Sequence, residues 1–213
     1  YFNRDFATSR GLTLALSQAV GNRVSLNVDY TFSIAEGNNS DPAEEFFRQQ
    51  GLDADTTGEN AVTSFVQLLN WDRTHIINGS LLYSGNTWGA NLVSRMLTGT
   101  PYTPANNIPG VTLGPVASQR DLRNTQRLPT RFTLDLNAYK NFDLGNNTRM
   151  QLFMNIFNLL DNQLINGVFN DSGEPDLPLP VNINPNADLR FFQDPSRFAE
   201  PRRIQIGIEI AFN

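Results

Sequence analysis

The feature that most constrains this fold is the regular alternation between seven apolar stretches and the segments joining them. Each stretch has a period of two, the side-chain period of a β-strand with one apolar and one polar face. The last is the clearest: Ile204, Ile206, Ile208, Ile210 and Phe212 share one parity, and Arg203, Gln205, Gly207, Glu209 and Ala211 the other. The first strand opens at Arg10, after polar, irregular residues 1–9, with Leu12, Leu14 and Leu16 against Gly11, Thr13, Ala15 and Ser17. A tight turn at Gly21-Asn22 leads to a second with Val24, Leu26, Val28, Tyr30, Phe32 and Ile34 on one face. Ile77, Gly79, Leu81 and Tyr83 mark the third, and Trp88, Ala90, Leu92, Ser94 and Met96 the fourth. Phe132, Leu134, Leu136 and Ala138 mark the fifth. In the sixth, Met150, Leu152, Met154 and Ile156 oppose Gln151, Phe153, Asn155 and Phe157, so aromatics blur its polar face.

The connections run short, long, short, long, short, long. The short ones are turns near Gly21, Ser84–Thr87 and Asp143–Thr148; the long ones span 35–72, 98–130 and 161–200. Three structureless connections of that length argue against a compact water-soluble domain. They suit an outer-membrane barrel, which has short turns at one rim and long loops at the other. Tyr30, Phe32, Tyr83, Trp88, Phe132 and Phe142 fall near strand ends, as interfacial girdles require. The expected fold is all-β: an antiparallel up-and-down transmembrane β-barrel segment of seven strands. With an odd number, the first and last strands run the same way and cannot close antiparallel, so the segment reads as an open arc of a larger barrel. A short helical piece is expected near 43–50.

Composition agrees. Apolar residues make up 39% of the 213 and mean hydropathy is −0.34, as when half of each strand faces water. No run approaches the ~18 apolar residues of a membrane helix. Absent cysteine and a single histidine exclude disulfide scaffolds, thiolate sites and multi-histidine metal sites. A net charge of −5 with no dense Lys/Arg run argues against nucleic-acid binding. The sequence starts at Tyr1 with no initiator Met or signal peptide, and reads as a fragment or mature portion whose N-terminal context is missing.

Four segments, in this order, resemble the C-terminal barrel of TonB-dependent receptors. Asn70-Trp71-Asp72-Arg73-Thr74-His75 resembles the lead-in to a late barrel strand. Thr98-Gly99-Thr100-Pro101-Tyr102-Thr103-Pro104 is similar to that family's strand exit. Asn155-Ile156-Phe157-Asn158-Leu159-Leu160-Asp161 is similar to its N-x-x-N-L-F-D segment, with Leu160 where Phe is common. Pro201 to Phe212 resembles the closing strand, although Asn213 follows the aromatic on which the family usually ends. The long loops most resemble Oar-like members with a carboxypeptidase-regulatory-like domain upstream. The whole of 1–213 would then be barrel, with plug and TonB box outside these residues.

The resemblance implies active, TonB-driven uptake of a nutrient across the outer membrane of a Gram-negative bacterium. The loops would capture an unknown small ligand, oligosaccharide or peptide. Partners would be outer-membrane lipid, TonB through the plug, and the barrel-assembly machinery through Phe212. No cofactor, metal or catalytic residue is expected. A passive porin or structural barrel is the first alternative; a soluble β-rich carbohydrate-binding or hydrolase domain is the second.

Arg95, Asp135, Asn137, Asn155, Gln205 and Glu209 fall on the predicted lumen face. A hydrated wall held by cross-strand pairs is preferred for each over contact with plug or solute. His75, beside Asp72 and Arg73, reads as a rim hydrogen-bonding histidine rather than a catalytic base. Asp41, Glu44 and Glu45 lack EF-hand spacing and read as solvated loop charge. No nucleophile elbow or phosphate loop is present.

Overall fold

A computed structural model describes residues 6–38, 66–105, 122–145, 148–177 and 193–212. Its strands are β1 (Ala7–Val20), β2 (Val24–Gly37), β3 (Gln67–Leu68), β4 (His75–Ser84), β5 (Trp88–Leu97), β6 (Pro101–Tyr102), β7 (Gln126–Arg127), β8 (Arg131–Gly145), β9 (Thr148–Phe157) and β10 (Arg203–Phe212). Eight of these form one antiparallel sheet: seven in the order β1-β2-β4-β5-β8-β9-β10, with β3 paired to β2 off that path. Each strand pairs with its nearest long neighbour in sequence, an up-and-down meander. The sheet does not close: β1 and β10 are its two edges and do not pair with each other. The three short turns lie at one end of the sheet, and the long connections leave from the other. The helical piece expected near 43–50, with Asp41, Glu44 and Glu45, lies outside the described residues.

The strands outrun their apolar periods. β1 starts at Ala7, not Arg10, because β2 extends through Gly37 and supplies partners Ala7↔Gly37, Thr8↔Glu36 and Ser9↔Ala35. Arg10 also pairs with Glu36 at 2.7 Å. On the other side of β2, the Leu69 amide donates to Ala35 O at 3.0 Å, and β3 pairs with Glu36 and Gly37. β8 likewise runs on to Gly145, where a register shift absorbs one residue and Gly145 takes φ 74°. Here backbone pairing, which needs no apolar side chain, sets strand length.

One row of paired residues crosses the sheet as Val20, Val24, Tyr83, Ala90, Ala138, Met154 and Ile206. It touches the short turn at Val20 but reaches Ala138 seven residues short of Gly145. The strand ends therefore shift along the sheet, mostly in one step between β5 and β8, in the manner of the stagger that accompanies strand tilt in barrels.

The register also fixes the faces. Leu14, Tyr30, Ile77, Met96 and Phe132 form one row; Leu26, Leu81, Leu92, Leu136, Ile156 and Ile204 form another, on the same face. No layer covers this face among the described residues: Leu14, Leu81, Trp88, Leu152 and Ile208 are exposed, and Ile206 is 69% exposed. The buried apolar residues among those described are Ala35, Leu69 and Leu164. The arrangement inverts that of a water-soluble domain, whose large apolar side chains are mostly interior.

Candidate functional site

The opposite face is polar, and the register places all six sequence-nominated residues on it. Arg95 pairs with Asn78 and Thr133, and Asp135 with Val93. Asn91, Asn137, Asn155 and Gln205 form a row of amide side chains across four strands. Glu209 continues the row Asn141, Gln151, in which Gln151 Nε2 donates to Asn141 Oδ1 at 2.8 Å. At the short-turn end these side chains, with Asn86, Thr87, Asp143 and Arg149, line a concavity of about 600 Å³. Asp135 has a local task as well: its Oδ1 accepts the Asn158 amide at 2.8 Å.

The aromatics on this face have a packing reason. Gly89, Tyr139, Phe153 and Gly207 form one row. A methyl at Gly89 would strike the Tyr139 ring, and one at Gly207 the Phe153 ring. Each ring lies down over its neighbour's glycine, covering backbone that has no side chain of its own. Phe157 faces Arg203, whose guanidinium lies 4.6 Å from the ring centroid.

A collar of irregular chain sits where the long connections leave the sheet, and it is built from the segments quoted above. Asp72 is 1% exposed. Its Oδ1 accepts the Ala35 amide at 2.6 Å; its Oδ2 accepts Thr74 Oγ1 at 3.2 Å and Arg127 Nη2 at 2.5 Å. Arg127 Nη1 donates to Gly99 O at 3.1 Å, and Arg73 Nη1 to Thr98 O at 3.0 Å. The Leu128 amide donates to Thr100 O at 3.0 Å, and at Gly99 any Cβ would collide with the Leu128 carbonyl. Asn124 ties in Leu68 O at 2.6 Å. The lead-in at 70–75 and the exit at 98–104 are thus two halves of one polar lock, with β6–β7 beside them.

A second lock holds β10. Asn158 is 5% exposed with φ 53°; its Oδ1 accepts the Asn162 amide at 3.0 Å and its Nδ2 donates to Asn162 O at 2.9 Å. Asp161, at φ 56°, accepts the Arg202 amide at 3.0 Å. Asparagine and aspartate tolerate this left-handed backbone better than most residues, which accounts for Asn158 and Asp161 in that segment.

His75 lies on the apolar face at the long-connection rim. Its Nδ1 is 2.9 Å from Tyr30 Oη, and it packs against Phe32 with ring centroids 5.5 Å apart. At the other rim Tyr83 and Trp88 rings lie 4.3 Å apart, and Lys140 Nζ sits 5.3 Å from the Phe142 centroid. Sequence reasoning found the rim histidine and both aromatic groups. It missed Arg127, Asn124 and Asn158 as structural residues; the only signal for Asn158 was its place in the quoted segment. Compared with family models, curated proteins and solved structures, the chain matches none of them.

Proposed function

We propose that this chain is part of the wall and rim of an outer-membrane β-barrel that imports a nutrient in the manner of TonB-dependent receptors. The observation that carries the membrane reading is the apolar face, bounded by aromatic groups at both rims and left uncovered among the described residues, whose buried apolar side chains are Ala35, Leu69 and Leu164. Phe132 and Phe142 mark the two rims on β8. Ten residues at ~3.3 Å each make about 33 Å along the strand. At a tilt of ~40° that is about 25 Å along the membrane normal, the height of the apolar band in such barrels. Lipid accepts these side chains, and a ladder continued at both edges would satisfy every backbone group.

Support for the transport reading is narrower. It rests on the four segments that resemble the receptor family and on the polar lock that two of them form. On this reading the amide row and its neighbours face a hydrated lumen, a plug lies in the lumen, and the chain does no chemistry of its own.

Cysteine labelling on intact cells tests the orientation. Ser172→Cys, in a long connection, should react with an impermeant maleimide; Asn86→Cys, in a short turn, should react only after the outer membrane is opened. The reverse pattern would rule out capture by the long loops. Planar-bilayer recording separates import from passive passage: a plugged barrel stays closed, whereas steady open-channel conductance would support a porin.

A further inference from the structure

Arg95 and Arg131 are diagonal neighbours on the polar face. Arg95 pairs with Thr133 and Arg131 with Leu97, a spacing of ~7–8 Å that long side chains bridge. Arg73 comes to the same place from the collar: its Nη1 is on Thr98 O, one residue beyond Leu97. Burial, then the charges of Arg131 and Arg95, lowers the Arg73 pKa from its ordinary value, as crowding of like charges requires.

Among the described residues, Arg95 and Arg131 form no ion pair and no side-chain hydrogen bond. Carboxylates also face this side: Asp135 is the other diagonal neighbour of Arg95 and gives its Oδ1 to the Asn158 amide, Asp29 lies on the row of Asn78 and Arg95 two strands away, and Asp72 holds Arg127; none forms an ion pair with Arg95 or Arg131 among the described residues. Three guanidiniums gathered at one corner of the sheet repel one another, and an anion that bridges them reduces that cost. Their planar N–H forks suit carboxylate and phosphate oxygens.

We propose that Arg73, Arg95 and Arg131 form a binding site for a small solute carrying two or more oxyanion groups, carboxylate or phosphate. The proposal rests on the polar face being a solute-facing wall and assigns that wall a substrate class. The solute is held over the polar face of the paired strands β5 and β8, beside the collar. Arg73 links the site to the lock, because its neighbour Asp72 holds Arg127 and the end of β2.

The test is equilibrium binding to the intact protein in detergent micelles, with citrate as the carboxylate probe, pyrophosphate as the phosphate probe and glucose as the neutral control. One or both anions should bind at least tenfold more tightly than glucose, and less tightly as salt rises. The two arms tell carboxylate from phosphate. Arg95→Gln with Arg131→Gln should weaken the preferred anion at least tenfold, while the paired lysine variant keeps part of the affinity. Heat-modifiable gel migration reports separately whether the barrel is folded. A folded barrel that binds neither anion better than glucose, or whose glutamine variant binds as the parent does, overturns the site and leaves the barrel reading standing. Should the double variant not fold, Arg95→Gln alone, at an exposed position, makes the same comparison.

Discussion

Asp72 shows how much one side chain does at the rim. It receives a backbone amide, a hydroxyl and a guanidinium, and its own side chain is out of water while Arg127 is partly solvated. Asp72→Ala leaves the Ala35 amide unsatisfied and Arg127 without its carboxylate, at a cost of about 3 kcal/mol. Urea unfolding of the intact protein in lipid vesicles measures this, and a change under 1 kcal/mol would show that the lock adds little. The partnership could not be read from sequence, because Arg127 lies 55 residues from Asp72 and nothing local marks the pair. His75 was legible: one histidine at a loop–strand junction, near strands with aromatics at their ends, has few roles open to it. Phe153 and Phe157 were legible as anomalies; their explanation needed the register that sets Phe153 against Gly207 and Phe157 against Arg203.

At the scale of single strands, the faces were written plainly in the parity of residues such as Ile204 to Ile210, because only one register keeps a whole apolar set on one side. Strand ends were not. Ala7–Ser9 and Ala35–Gly37 carry no apolar period and are extended because they pair with each other. β3, β6 and β7 are two residues each, too short to leave a periodic signal. β10 offers two contrasting tests. Ile206→Arg places a charge on the apolar face and should cost about 2–4 kcal/mol if that face meets the middle of the bilayer. Gly207→Val, one residue along and on the other face, drives a branched side chain into the Phe153 ring and should cost about 1–3 kcal/mol. Pairing Gly207→Val with Phe153→Ala should recover part of that loss; pairing Ile206→Arg with Phe153→Ala should not. Both sets are read from unfolding in vesicles, and equal behaviour of the two would mean that the faces are misassigned.

At the scale of the molecule, the described residues form an open sheet whose edges β1 and β10 do not pair with each other and whose apolar face no layer of them covers. Such an object aggregates in water, through its edges and through its face. Both problems are solved together if further strands continue the ladder from β1 and β10 and lipid surrounds the result. The stagger of the rows, the two aromatic rims and the separation of short turns from long connections would all fit that one solution. The most direct measurement is spin-label accessibility in the intact protein, reconstituted in lipid bilayers. Labels at Leu14, Leu152 and Ile206 sample one face; labels at Asn137, Gln151 and Gln205 sample the other. The first set should collide with oxygen dissolved in the bilayer, and the second with a water-soluble nickel chelate, alternating residue by residue along β9 and β10. Loss of that alternation, or water access to the leucine and isoleucine positions, would contradict a lipid-facing wall.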